Sequence, residues 1–167
     1  LRRSTFARAI QGSNSIEGYH VTVDDAVAAV DGEEPLAERT EAWKAVTGYR
    51  NAMSYVLQLA DDSYFQHNEG TLRSLHYMML SYDVTKHPGR WRPRGIYVRR
   101  EPDNAIVYEG PAADLVPSLM AELMTALNAT SPLPVMVRAA LAHLNLVMVH
   151  PFSDGNKRIG TLLFLDY

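Results

Sequence analysis

The sequence contains no cysteine. This excludes disulfides, thiolate nucleophiles and cysteine-held metals, and it fits a reducing compartment such as the cytoplasm. There is no apolar run near the roughly 18 residues that a spanning helix needs, and no signal-peptide pattern, so no membrane partner is expected. There is no basic excess either. Sixteen Lys and Arg against 19 Asp and Glu give a net charge of −3, which removes the main footprint of a nucleic-acid binder. Internal repeats, heptads and low-complexity tracts are also absent. What remains is 47% hydrophobic and 21% charged, in 167 residues. That is one domain over 1–167, large enough to bury about two-thirds of its unfolded surface. The sequence stops at Asp166-Tyr167 with an apolar pattern still running and no helix stop signal, so a fragment of a longer chain is expected.

Most of the chain reads as helix. A short helix is expected over Ser4 to Ile10, followed by a polar loop, S-N-S-I-E-G, from Ser13 to Gly18. Thr22 and Asp25 form a capping-box start for a helix through Val30. Leu36 to Leu59 places Trp43, Val46, Tyr49, Met53, Val56 and Leu57 on one side. Thr71 to Tyr82 carries Leu72, Leu75, Met78 and Met79, with His76 among them as a structural or surface residue. From His87 the texture changes. An arginine-rich loop leads into Ile96-Tyr97-Val98 and Ala105-Ile106-Val107-Tyr108, β-branched and aromatic runs joined by E-P-D-N, which read as a hairpin over about 95–109. Pro111 to Asn128 is again helical, with Pro111 near N1 and leucines at 115, 119, 123 and 127.

The most informative stretch is H-P-F-S-D-G-N-K-R, His150 to Arg158. Upstream, Val135 to Val149 has Val137, Leu141, Leu144 and Met148 at helical spacing, and downstream an apolar pattern resumes at Ile159. Pro151 discourages the first helix from running on, and Asp154-Gly155-Asn156 is turn and cap chemistry. The result is helix, tight loop, helix, with the loop over the start of the second helix. Unpaired N–H groups and the positive end of the helix dipole make that start an anion site. Lys157 and Arg158 add charge, and a base and a carboxylate, His150 and Asp154, stand beside it. Singly, each residue has an ordinary structural explanation. Together within nine residues they point to phosphate chemistry with a metal.

The run resembles the signature of the Fic/Doc (Fido) family, H-x-F-x-[D/E]-G-N-G-R-x-x-R. His150, Phe152, Asp154, Gly155, Asn156 and Arg158 match, while Lys157 replaces the second Gly and Thr161 the second Arg. The G-N-K-R form is similar to the Doc branch. Ser13, Glu17 and Gly18 fit the family's inhibitory [S/T]-x-x-x-E-[G/N] motif, and Pro88 to Arg92 fits the P-G-x-[WYF]-R run before its β-hairpin flap.

The resemblance implies a mainly α fold, a Fic-type helical bundle with one β-hairpin flap. It implies an adenylyltransferase that moves AMP from ATP, with Mg2+, to a hydroxyl side chain of a protein substrate docked on the 95–109 hairpin. His150 would be the general base, Asp154 the metal ligand, and Gly155, Asn156, Lys157 and Arg158 the phosphate-binding residues. Phe152 would fix the loop from the core. Glu17 would enter the nucleotide site as inhibitor, and with Thr161 in place of the second Arg its partner would be Arg158 or Lys157. A homodimer is left open. Two other classes compete: a Doc-like kinase that moves the γ-phosphate, favoured by Lys157, and a decayed interaction module. A hydrolase using His143, His150 and Asp154 fits less well, because the histidines are seven apart rather than four.

Overall fold

The structure, a computed structural model, describes residues 2–33 and 40–165. Among them the expected composition of elements holds: helices throughout, with one two-stranded antiparallel hairpin. In chain order these are α1 (Arg2–Ser15), α2 (Val23–Asp31), α3 (Glu41–Leu59), α4 (Glu69–Leu80), β1 (Tyr97–Arg100), β2 (Ala105–Glu109), α5 (Val116–Asn128), α6 (Val135–Val149) and α7 (Asn156–Leu165). None of these helices is long and apolar enough to cross a membrane.

Local chemistry accounts for most helix starts. Thr22 accepts from the Asp25 N–H and Asp25 from the Thr22 N–H, both at 3.1 Å, so the capping box at α2 is complete. Thr40 caps α3; the expected earlier start at Leu36 falls outside the described residues. Asn68 caps α4, which moves its start ahead of Thr71. α5 begins at Val116 with Pro117 in its first turn, after a 3-10 turn over Ala113–Leu115, so Pro111 lies before the helix and not at N1.

α1 runs past the expected loop. Ser13 to Ser15 form its last turn because Asn14 Nδ2 donates to Ile10 O and Ser15 Oγ to Gln11 O, each tying a polar side chain to the carbonyl four back. Ser13 Oγ also meets Tyr49 Oη at 2.9 Å. The loop proper is the turn Ile16 to Gly18, with Gly18 at φ +84°.

α3 and α7 run through the core. Val46, Tyr49, Met53 and Val56 face Leu72, Leu75 and Met79 of α4 and Ile159 and Leu162 of α7. Leu57, expected on the buried side of α3, is exposed. α3 and α4 approach so closely that a Cβ on Gly48 would lie 2.5 Å from Met79 O. On α6 the expected stripe is on the outside. Val137, Leu141, Leu144 and Met148 are all more than 40% exposed, and Ala139, Ala142 and Leu146 are buried instead. Small residues on that face let α6 lie tightly along α7, where a Cβ on Gly160 would stand 3.1 Å from the His143 ring.

Candidate active site

α6 ends at His150, whose N–H bonds Leu146 O at 2.8 Å while its backbone turns left-handed at φ +53°. A non-glycine residue held there is strained, and such strain collects at functional sites. Three contacts enforce the turn. Arg92, only 3% exposed, donates from Nε to His150 O and from its backbone N–H to Pro151 O, both at 2.8 Å. Its remaining N–H groups reach Arg94 O, Pro111 O and Val149 O. Phe152 is fully buried between the His76 ring, stacked at 3.7 Å, and Trp91 at 5.0 Å. Asn156 closes the loop, donating to Phe152 O and accepting from Phe152 N–H, both at 2.9 Å. Its side chain is therefore committed to the loop, and only its backbone N–H faces the start of α7.

His76 is structural, and fully buried rather than at the surface. Gly89 N–H donates to its Nδ1, so Nε2 carries the proton and donates to Asp154 O at 3.0 Å. Burial, with a smaller push from Arg158, brings its pKa down to about 4 from 6.5. Because the folded value is the lower one, its stabilisation is complete above pH 6.5 and is lost as the pH falls from 6.5 towards 4. The full gap is about 3 kcal/mol. Urea midpoints measured across that window should fall in the native chain, with a clearly smaller fall in His76→Gln. An identical pH profile for the two proteins would contradict this.

Gly155 sits at φ +75°, and a Cβ there would meet Leu80 Cδ1 at 3.2 Å. Asp154 accepts from the Gly155 N–H at 2.7 Å and stands 3.5 Å from Lys86 Nζ. Burial alone would raise its pKa. Hydrogen bonding with Glu17 and the Gly155 N–H, and the charges of Lys86 and Arg158, hold it below the ordinary carboxylate value.

Glu17 comes from the far end of the chain into the same place. It lines a cavity of about 230 Å3 together with His150, Ser153, Asp154, Gly155, Asn156 and Lys157. The larger cavity, about 420 Å3 between α2, α3 and α4, contains none of these residues. The Glu17 carboxyl is raised by burial first; Arg158 opposes that shift and Asp154 adds to it. It stands beside Asp154, at the first turn of α7. A carboxyl side chain thus stands beside the anion position that the helix start creates. Glu17 Oε2 lies 3.7 Å from Arg158 Nε, an ion-pair distance too long for a hydrogen bond.

Arg158 is fully buried, with Nη1 donating to Asn14 Oδ1 at 3.2 Å. Among the described residues its Nε and Nη2 have no hydrogen-bond partner, and Nη2 lies toward Gly155. Orphaned donors on a buried guanidinium are costly and suit an anion. His150 is neutral, its pKa lowered first by burial and then by Arg92 and Lys157. A backbone interaction with Val147 opposes that shift in part, and a neutral imidazole keeps one ring nitrogen as an acceptor. Lys157 is exposed at the cavity, and Thr161 folds its hydroxyl back onto Lys157 O, so it offers no cation.

Residues 66–167 match the Fic/DOC family. The chain belongs to this family. Solved Fic structures share its fold. A Fic family protein from Desulfovibrio desulfuricans G20 aligns at 28% identity and TM-score 0.80, over 99% of this chain and 48% of that one. A Fic domain containing signaling protein from Bacteroides thetaiotaomicron VPI-5482 aligns at 23% identity and TM-score 0.84, over 97% and 60%. Fic-1 from C. elegans aligns at 23% and 0.77, over 96% and 46%. The chain therefore spans about half to three-fifths of the length of these Fic proteins. No curated protein matches it.

In this Fic domain Glu17, from the turn after α1, meets His150, Asp154, Gly155, Asn156 and Lys157 at one cavity, while Phe152 and Arg158 are buried. Arg92, His76, Lys86 and Tyr19 belong to the same assembly and were not expected there. A buried arginine within an H-P-G-R-W-R-P-R loop carries no sequence signal of burial; the hairpin that brackets it is the nearest hint.

For magnesium the donor set is small. Among the described residues no group of three His, Asp or Glu could hold a metal. One carboxylate next to an anion-binding helix start and a buried guanidinium is nevertheless what Mg2+ takes when phosphate oxygens supply the rest of its shell. Asp154 fits that use.

Proposed function

We propose that the chain transfers AMP from ATP to a hydroxyl of a protein target, and that Glu17 restrains it. One observation carries this reading: among the described residues the buried Arg158 keeps two nitrogens, Nε and Nη2, without hydrogen-bond partners beside the Gly155 loop, while His150 lines the adjoining cavity. A buried cation prepared for anions next to a base is equipped for phosphoryl or nucleotidyl transfer.

His150 takes the proton of the target hydroxyl, whose oxygen forms the new bond to the α-phosphorus. The bond from that phosphorus to the bridging oxygen breaks, and pyrophosphate leaves. Arg158 and the first N–H groups of α7 hold the negative oxygens, and Gly155 gives the phosphates room. Asn156 serves by keeping the loop closed on Phe152. Asp154 would hold the magnesium, which supplies charge neutralisation between phosphates. The target segment would pair with the exposed hairpin as an added strand, which positions a hydroxyl with little demand on sequence. Lys157, exposed at the cavity, favours a second reading in which the γ-phosphate is moved instead.

Glu17 is the internal competitor, since its carboxyl lines the cavity and stands 3.7 Å from Arg158 Nε. Glu17→Gly should tighten ATP binding about tenfold, because Arg158 would then gain a charged hydrogen bond to phosphate without first giving up its ion pair. Self-modification should rise with it. Calorimetry with ATP and labelled-ATP incorporation check both, and unchanged values in both would reduce the Glu17 turn to scaffold.

A further inference from the structure

Lys86 closes the 3-10 turn Val84–Lys86 between α4 and the hairpin, and only 18% of its side chain is exposed. Its ammonium bonds Tyr19 Oη, pairs with Glu41 Oε1 at 3.0 Å and stands 3.5 Å from Asp154 Oδ2. Asp83 Oδ2 is a fourth neighbour at 3.9 Å. The rings of Tyr19 and Tyr82 flank it at 5.1 and 5.5 Å. One cation thus serves three carboxylates that lie on three different elements.

Tyr19 is two residues from Glu17, and its ring has a second cation, the Arg158 guanidinium at 5.0 Å. Lys86 thus holds the ring at its hydroxyl end and Arg158 stands against the ring itself. Tyr82 Oη and Glu41 Oε1 complete its hydroxyl contacts, each at 3.3 Å. Between Glu17 and Tyr19 there is only Gly18, with its left-handed backbone, and the Tyr19 N–H is bonded to Asn14 O at 3.1 Å. Tyr19 thus both anchors the Glu17 turn and shields one face of the guanidinium expected to meet phosphate.

We propose that Lys86 is a positioning residue that links the metal carboxylate to the Glu17 turn. Without metal, its ammonium is the counter-ion of Asp154 and pins Tyr19. A divalent cation on Asp154 repels it, and the flexible four-carbon stem swings it toward Glu41 and Asp83. Tyr19 then loses a cation partner, its ring leaves Arg158, and the turn carrying Glu17 loosens. Metal loading and release of the internal competitor become one linked event, with each favouring the other by the same factor. The proposal rests on the reading of Asp154 as the metal ligand.

The experiment uses Mn2+ alone as the probe, followed by its paramagnetic resonance signal, with amide hydrogen exchange of residues 15–20 read in parallel. The native chain should exchange faster in that segment once Mn2+ is saturating. Lys86→Met should bind Mn2+ about five- to tenfold tighter, because a like charge beside the site is removed. Its segment should exchange fast with or without the ion. Lys86→Arg keeps the charge and should remain metal-responsive, which guards against a folding defect in Lys86→Met. Unchanged Mn2+ affinity in Lys86→Met, or exchange in the native chain that ignores the ion, overturns the link. Asp154→Ala separates the two levels. If it loses Mn2+ binding while Lys86→Met behaves as native, only the link fails; if it binds Mn2+ as well as the native chain, the assignment of Asp154 fails first.

Discussion

Replacing His150 by asparagine is expected to lower transfer about 10²- to 10⁴-fold, the usual worth of a general base, with nucleotide affinity nearly unchanged. The separation follows from the geometry. The ring of His150, its pKa lowered chiefly by burial, belongs to the wall of the cavity. In the proposed reading the anion-binding groups are Arg158 and the N–H groups of α7. Asparagine is the better probe than alanine, because the site is left-handed at φ +53° and Asn tolerates that backbone. The melting temperature should therefore stay close to native. Calorimetry with ATP and incorporation of labelled nucleotide measure the two halves. If affinity and transfer fall by equal factors, His150 is a nucleotide-binding group and not the base.

Arg92→Leu should be the most destabilising single change. The guanidinium is buried and donates to the carbonyls of His150, Arg94, Pro111 and Val149. It therefore ties together the end of α6 and both ends of the hairpin. Leucine fills part of the space but leaves these carbonyls without their donor. Leaving a buried acceptor unsatisfied costs about 1–3 kcal/mol, so orphaning several carbonyls should cost about 4 kcal/mol. In a chain of this size that is about 10 °C in melting temperature. Arg92→Lys should recover only a small part, since an ammonium cannot reproduce the planar fork. Transfer should fall as well, because the His150 carbonyl would lose the contact that sets its turn. A melting temperature close to native in thermal unfolding would show that the hairpin and α6 are held together by other contacts.

The reactive loop was legible because its chemistry is local. His150 to Arg158 is contiguous, and the turn residues, the start of α7 and the buried Phe152 all follow from neighbours in sequence. The Thr22 capping box and the hairpin were legible for the same reason. Two kinds of information were not. One is the choice of face on a helix that is apolar nearly all round. On α6 the spacing of Val137, Leu141, Leu144 and Met148 is as regular as that of Ala139, Ala142 and Leu146, and close packing on α7 selects the smaller set. The other is long-range partnership. His76 meets Asp154 across 78 positions and Arg92 meets His150 across 58, and neither pairing leaves a mark in either segment. The last turn of α1 shows a third limit: Ser13-Asn14-Ser15 has loop composition, yet tertiary contact with Tyr49 and bonds to the preceding turn keep it helical.

The central claim is that ATP is attacked at its α-phosphorus and that AMP becomes attached to protein. Parallel incubations of Glu17→Gly with α-labelled and γ-labelled ATP, in the presence of Mg2+, test it most directly. Incorporation from the α label alone, abolished by adding His150→Asn, is the expected result. Incorporation from the γ label alone would contradict AMP transfer and make the chain a kinase, with Lys157 as the residue to examine next.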